Sequence, residues 1–399
     1  MYVKHIYNII ILQYNATSVL KNVLDVKFER LKIIFFGGFM NSRERLIRCY
    51  HNQEVDRPAV YNRMGYPVND PTYDKLKAYI EANTELKIHW NGEAFETPER
   101  IEYATEPYSE DFERVTAILY TPAGNLTSTK FKGLKGKPGV HETFLIKTRE
   151  DVEKYLSLPV PEVNGDVSSF FAAKKEVGDR GIVDVYLGSN PGGFVAQLLG
   201  SENFAIMSLT DRDIIHALCE RQMKIIMNDA RYLLERNING FFSTGGEEYI
   251  VPPLHGPKDF YDFNVKYDKP IIDLIHNAGG RFHIHCHGSI KKVLQGFIDM
   301  GVDVLHPFEA PPMGDVIASE AKSMVRGKIC IEGNIQISHM YEHTPDQIRE
   351  ETKKLIRDAF DDHSGLIVCP TASAYIYGKG MDCFEQYRAM IETVLDYIG

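Results

Sequence analysis

Eight short apolar segments alternate along this chain with longer amphipathic ones, and this rhythm constrains the fold more than any other feature. The amphipathic segments place apolar residues three and four positions apart, as helices do, over 211–236, 260–276, 290–300, 344–360 and 383–397. The predicted strands span 59–64, 86–90, 182–188, 240–244, 282–287, 302–307, 329–332 and 366–369. Repeated strand–helix units predict a parallel sheet, and eight of them in about 340 residues favour an α/β fold of the (β/α)8 TIM barrel type.

Two stretches fall outside this rhythm. Residues 92–161 include a hairpin-like pattern at 115–120 followed by Thr-Pro-Ala-Gly-Asn, so we predict a segment inserted in the N-terminal half that covers one end of the barrel. Residues 1–39 carry short apolar and basic patches without periodicity, and we interpret them as a non-native or disordered extension before a barrel domain at 40–399. The run from Phe36 to Met40 is what a ribosome-binding site would encode if read in frame, which suggests Met40 as the translation start.

Composition narrows the possible partners. The net charge is −10 and no basic run is interleaved with aromatic residues, so we expect no nucleic-acid partner. The apolar runs are too short for a membrane span, so no membrane partner is expected. Six cysteines are scattered without pairing rhythm, which indicates reduced thiols and a cytoplasmic protein. The sequence leaves open whether the protein forms a homodimer.

The fifth predicted strand carries the strongest chemical signal. His283, His285 and His287 recur at every second residue before Gly288, so a strand would direct all three imidazoles to one face. A sheet core has no use for three imidazoles, because each buried ring nitrogen needs a partner. We therefore interpret this segment as part of a functional site.

In a barrel of this type the chemistry lies at the carboxyl ends of the strands. The polar residues expected there include Asn62, Arg63, Glu247, Glu248, His285, His287, Glu309, Glu332, Asn334 and Cys369. Imidazole, carboxylate and thiolate are the ligands that zinc prefers. The set His285, His287, Glu309 and Cys369 is the predicted metal site, and we expect Asn62, Arg63, Glu247 and Tyr375 to bind substrate.

Several motifs together resemble the uroporphyrinogen decarboxylase superfamily. They are Ser-Arg-Glu-Arg-Leu at 42–46 with Asp-Arg-Pro at 56–58, Thr-Pro-Ala-Gly at 121–124, Gln-Leu-Leu-Gly at 197–200 with Glu-Asn at 202–203, the 285–288 strand end, and Glu-Gly-Asn-Ile at 332–335. The resemblance spans 40–399. It implies a (β/α)8 barrel and one of two activities, metal-free decarboxylation of uroporphyrinogen or zinc-dependent methyl transfer to or from corrinoids and thiols.

The residues favour the methyltransferase branch. The decarboxylase branch carries a Met-Arg-Gln-Ala-Gly-Arg pattern that grips the porphyrinogen carboxylates, whereas this chain has Tyr-Asn-Arg-Met-Gly-Tyr-Pro at 61–67. An acidic substrate with eight carboxylates needs several guanidinium groups, and only Arg57 and Arg63 are nearby. Uroporphyrinogen decarboxylation remains the alternative, and a non-catalytic corrinoid or ligand binder is a third hypothesis.

The methyltransferase branch implies a ligand set with one departure. Its His-x-Cys pair falls on His285 and His287, and a Glu ligand of the related methionine synthases falls on Glu309. The last family Cys falls on Ala372, three residues after Cys369, so the fourth ligand is Cys369, Glu247 or a water.

An imidazole in place of a thiolate makes zinc a harder Lewis acid, which suits an oxygen substrate. We therefore expect His285, His287 and Glu309 to be catalytic in the demethylation of a small methoxy compound. The methyl acceptor would be a corrinoid (cobalamin) on a separate protein, since this chain lacks the Asp-x-His-x-x-Gly motif.

Overall fold

A computed structural model describes residues 40–91, 100–134 and 137–398, and it contains the predicted parallel sheet. The hypothesis about residues 1–39 concerns a segment outside these residues. Eight strands form the sheet: β1 (Ala59–Val60), β2 (Leu86–Trp90), β7 (Gly181–Ser189), β8 (Phe241–Gly245), β9 (Arg281–His285), β10 (Val304–His306), β11 (Cys330–Ile335) and β12 (Leu366–Pro370). Their order is β1-β12-β11-β10-β9-β8-β7-β2, with all neighbours parallel. All eight predicted strands are confirmed.

The order of the strands makes β1 and β2 the two ends of the sheet, and a carboxylate joins them. Glu85 N donates to Val60 O at 3.0 Å, and Val60 N donates to Glu85 Oε2 at 2.7 Å. The other carboxylate oxygen, Oε1, accepts from Arg45 Nη1 at 2.7 Å and from Arg57 Nη2 at 2.8 Å. Arg45 also binds Asp56 through two nitrogens. The charged motifs at 42–46 and 56–58 therefore meet at the seam that closes the (β/α)8 barrel.

Helices connect the strands and cover the barrel. Their bounds are Ser42–Tyr50, Asp74–Asn83, Arg149–Leu156, Ser168–Val177, Pro191–Leu199, Ser201–Thr210, Arg212–Glu235, Pro257–Phe260, Lys266–Asn277, Leu294–Met300, Ala318–Val325, His339–Glu342, Pro345–Ala359 and Gly380–Leu395. The predicted helix at 260–276 is interrupted by a π turn, Tyr261–Val265. Helix Pro345–Ala359 begins where its sequence predicts, because Thr344 and Gln347 form a capping box and Pro345 occupies the first turn.

The inserted segment forms a second sheet. Strands β3 (Ile101–Pro107), β4 (Phe112–Leu119), β5 (Leu126–Gly133) and β6 (Val140–Thr143) pair antiparallel in chain order. The turn after β4 uses Gly124 at φ +123°, a conformation that favours glycine. Leu119, Leu126 and Ile146 belong to one buried apolar cluster with residues of helix Pro191–Leu199. The predicted insertion in the N-terminal half is confirmed, and its position over one end of the barrel stays a prediction.

Within the described residues, no helix combines the length and the apolarity needed to cross a bilayer.

The barrel seam can be tested with Glu85→Ala. This change removes the Glu85 carboxylate from the buried Arg45 guanidinium and leaves Val60 N without its acceptor, so we expect a loss of about 3–5 kcal/mol in the free energy of unfolding. Urea denaturation measures this loss. Glu44→Ala removes an exposed carboxylate from the same region and should cost less than about 0.5 kcal/mol; equal losses in the two variants would contradict a structural role for the seam.

Candidate active site

Four histidines line the inner face of two neighbouring strands at the carboxyl end of the barrel. In the parallel register His283 lies beside Val304 and His285 beside His306. The rings of His285 and His306 stack with centroids 5.1 Å apart, and the ring of His287 stands edge-on to His285 at 4.7 Å. Ile284 and Cys286, which alternate with the histidines, are fully buried on the other face. The three-histidine pattern therefore does direct its side chains to one face.

The four predicted ligands fall into two adjacent groups. His287 Nδ1 lies 3.2 Å from Glu309 Oε2, which also accepts from Gly288 N at 2.9 Å. Burial opposes ionisation of Glu309, but the hydrogen bonds from His287 and Gly288 outweigh it and lower the pKa of this carboxyl. Cys369 belongs to the second group, where its Sγ lies 3.7 Å from His306 Nε2. Burial raises the pKa of its thiol. His285 lies between the two groups.

The hydrogen bonds of His306 determine which nitrogen of His285 is available. His306 Nε2 lies 3.0 Å from Pro370 O, and because a carbonyl only accepts, this nitrogen carries the hydrogen. Nδ1 of His306 is then an acceptor, and His285 Nδ1 at 2.9 Å and Arg63 Nη1 at 3.5 Å both face it. Burial lowers the pKa of both imidazoles, so they are neutral near pH 7. With its Nδ1 engaged, His285 has Nε2 left for a ligand.

A buried ion pair lies deeper in the barrel. Lys87 Nζ from β2 lies 2.5 Å from Glu332 Oε2 on β11, and both side chains are at most 1% exposed. Burial acts to raise the pKa of Glu332, but the Lys87 ammonium outweighs it and holds this pKa well below its ordinary value. His283 Nε2 lies 3.5 Å from Glu332 Oε1. This barrel interior is therefore charged at a depth where branched apolar residues are usual.

The structure also brings together a second set of possible metal ligands, which the sequence did not predict as a set. Ligand atoms of His306, Glu332 and Cys369 all lie within 4.8 Å of one another, and all three residues are buried. Both ring nitrogens of His283 and one oxygen of Glu332 have no protein hydrogen-bond partner among the described residues. Buried polar atoms of this kind are those that a cation or a polar ligand would satisfy. His306 follows an apolar run, Val304-Leu305, so the argument used for the other histidines applies to it as well.

The predicted substrate-binding residues differ in their exposure. Arg63 Nη1 lies 3.0 Å from His285 Nδ1, and the amide atoms of Asn62 are buried without a hydrogen-bond partner in the described part of the chain. Tyr375 is 58% exposed. Glu247 is fully buried just after β8, where its Oε1 accepts from Thr244 Oγ1 at 3.0 Å. Burial raises the pKa of this carboxyl well above its usual value, and the nearby Asp268 and Glu248 act in the same direction.

The fold and this arrangement define the class of protein: a (β/α)8 barrel with imidazole and carboxylate groups at the carboxyl ends of β9 and β10. A family model described as "Uroporphyrinogen decarboxylase (URO-D)" matches residues 128–393, more than half of the chain. The chain belongs to this family, as its motifs predict.

Comparison with solved structures supports the fold. A methyltransferase from Methanosarcina mazei superimposes with a TM-score of 0.58 at 13% identity, covering 90% of this chain and 100% of the other. A D-psicose 3-epimerase from Clostridium cellulolyticum H10 reaches a TM-score of only 0.33 at 10% identity, over 58% of this chain and 93% of that chain. A search of curated proteins found no match. At 13% identity the likeness to the M. mazei structure shows the fold alone.

A buried carboxyl next to Glu247 gives a testable pH dependence. Asp268 accepts from Asn190 Nδ2 at 2.9 Å, and burial raises its pKa from 3.8 to about 8. The folded protein thus keeps a proton that the unfolded chain releases above pH 4, so Asp268 should reduce stability as the pH rises from about 4 to 8. Asp268→Asn mimics the protonated acid and should remove this fall. Relative to that variant, the wild type should lose up to about 1.4 kcal/mol per pH unit.

Urea unfolding at several pH values measures the difference. Asp273→Asn, at an exposed position of the same helix, is the matched control and should leave the wild-type pH profile unchanged. Parallel profiles for the wild type and D268N would show that Asp268 is ionised in the folded protein.

Proposed function

We propose that the protein is a zinc-dependent methyltransferase that moves a methyl group from a small methoxy compound to a corrinoid on a separate protein. The observation that carries the proposal is the 3.2 Å approach of His287 Nδ1 and Glu309 Oε2 beside His285, at the carboxyl end of the barrel. Family membership and the similarity in fold to the M. mazei methyltransferase are consistent with it.

The residues present are suited to a zinc ion. Two ligand atoms held tetrahedrally at about 2.0–2.2 Å from one zinc lie about 3.3–3.6 Å apart, close to the separation of His287 Nδ1 and Glu309 Oε2. We assign His285, His287 and Glu309 as ligands, with the fourth position taken by Cys369 or by a water. As a ligand, Cys369 would have to lose the proton that its burial favours. Zinc in such a site supplies Lewis acidity toward the oxygen of a methyl ether.

The surrounding residues orient the site. Gly288 N donates to Glu309 and favours its carboxylate form, and the contact between the Nδ1 atoms of His306 and His285 fixes the ring of His285. Neutral imidazoles are the form that binds a metal, so the lowered pKa of His285 keeps it ready to do so. Demethylation breaks the methyl–oxygen bond, and the departing oxygen takes up a proton to leave as an alcohol or phenol. Arg63 at the mouth, a permanent cation, is placed to stabilise negative charge on that oxygen.

The decarboxylase alternative finds less support. Of the two arginines near the mouth in sequence, Arg57 is committed to the barrel seam, where it donates to Glu85 Oε1 and to Pro58 O, both at 2.8 Å. Arg63 is then the one of this pair left to bind a carboxylate, whereas a substrate with eight carboxylates requires several guanidinium groups. This favours methyl transfer within the family.

The proposal is tested with His287→Ala and Glu309→Gln. Because each change removes one ligand, we expect less bound zinc and at least a hundredfold (~10²) slower methyl transfer. Zinc is measured by elemental analysis, and transfer by the absorbance change of free cob(I)alamin with methanol and methoxylated benzoates as probes. His141→Ala, an exposed histidine on β6, is the matched control and should behave as the wild type.

Three results would overturn the proposal. Unchanged zinc content and turnover in both ligand variants would exclude these residues as ligands. Carbon dioxide release from uroporphyrinogen by metal-free protein would establish the decarboxylase instead. Tight corrinoid binding without turnover of any methoxy probe would establish a binding protein.

A further inference from the structure

A second group of metal-ligating side chains lies on the outside of the barrel, after β11. His339 and His343 are one helical turn apart, because His343 N donates to His339 O at 3.0 Å across helix His339–Glu342. Glu351 reaches them from helix Pro345–Ala359, which follows directly in the chain. None of these three residues belongs to the site at the barrel mouth.

The three side chains converge on one point. His339 Nδ1 lies 2.9 Å and 3.1 Å from the two oxygens of Glu351, and His343 Nδ1 lies 3.6 Å from Glu351 Oε2. The two imidazole rings stack nearly parallel, with centroids 3.9 Å apart and an interplanar angle of 18°. One ligand atom from each residue lies within 4.8 Å of the other two.

Hydrogen bonding alone does not account for this arrangement. A single carboxylate faces two Nδ1 atoms, and His339 is the one within hydrogen-bonding distance. His343 Nδ1 is buried and has no hydrogen-bond partner in the described part of the chain. The side chains are nevertheless 29–33% exposed, so a small ion has access from solvent. An ion at the point of convergence would satisfy both imidazoles and the carboxylate.

We propose that His339, His343 and Glu351 form a second metal site, which binds a divalent first-row transition cation such as Zn²⁺. Two imidazoles and one carboxylate are borderline donors, which favour zinc, nickel or copper over magnesium and calcium. The carboxylate–imidazole separations of 2.9 and 3.6 Å bracket the spacing of about 3.3–3.6 Å around one zinc ion. Three protein ligands leave the fourth tetrahedral position to water.

The site is connected to the rim of the barrel mouth through Tyr341, which lies between the two histidines. Its hydroxyl accepts from Tyr375 N at 3.1 Å and lies 2.9 Å from the hydroxyl of Tyr73. Tyr375 belongs to the loop after β12 at the mouth. A cation that fixes the turn 339–343 therefore also fixes the residue that holds this loop.

Zinc binding at equilibrium tests the site. Protein stripped with a chelator is dialysed against Zn²⁺ and assayed for bound metal, with folding checked by circular dichroism. We expect His343→Ala and Glu351→Gln each to bind about one ion fewer per chain than the wild type. Glu351→Gln keeps an acceptor for His339 but is a poor ligand, so it separates metal binding from a simple hydrogen bond. Glu350→Gln, one position earlier and paired with Lys353, is the matched control and should bind as the wild type.

The same measurement in a His287→Ala background separates this site from the one at the mouth. If the outer site exists, His343→Ala lowers the zinc content in that background too, whatever happens at the mouth. Equal zinc content with and without His343→Ala, in both backgrounds, would overturn the second site. Equal losses in E350Q and E351Q would overturn it as well, since binding would then depend on surface charge.

Discussion

The buried ion pair between Lys87 and Glu332 is the constraint on which the interior of this barrel depends. Neither charge has access to water, so each requires the other, and removing one partner of such a pair costs about 3–5 kcal/mol. The pair joins β2 to β11 across the barrel. It also keeps Glu332 ionised beneath the histidines. The negative charge of Glu332 raises the pKa of His283, whereas the positive charge of Lys87 lowers it.

The histidines above this pair act as a set. His283, His285 and His306 are kept neutral chiefly by burial, and the rings of His285 and His306 are held by their mutual Nδ1 contact and by Pro370 O. Neutral rings with one nitrogen engaged leave a defined second nitrogen, which is how proteins orient metal ligands. This one arrangement gives His285 its orientation, connects Cys369 to the site through His306, and leaves His287 and Glu309 at the open end. The methyltransferase proposal uses that open end.

The family motifs have structural as well as chemical roles. Arg45, Asp56 and Arg57 close the barrel through Glu85, and Glu332 of the Glu-Gly-Asn-Ile motif belongs to the buried pair. A match to these motifs therefore identifies the fold and the family, whereas the reaction depends on the residues at the mouth. The outer group of His339, His343 and Glu351 lies outside the motifs altogether, so family membership alone would not have pointed to it.

The sequence by itself determined the eight strands, the insertion, the family and the face on which the histidines lie, because hydrophobic periodicity and strand alternation are local properties. It did not determine which polar and metal-ligating side chains contact one another. Cys369 lies against His306, Lys87 pairs with a residue 245 positions away, and Glu247 is fully buried. These pairings depend on the register and closure of a sheet whose neighbouring strands are distant in the chain. Only the folded barrel brings such residues together, because they lie far apart in the chain. Their partners were therefore decided by the tertiary structure alone.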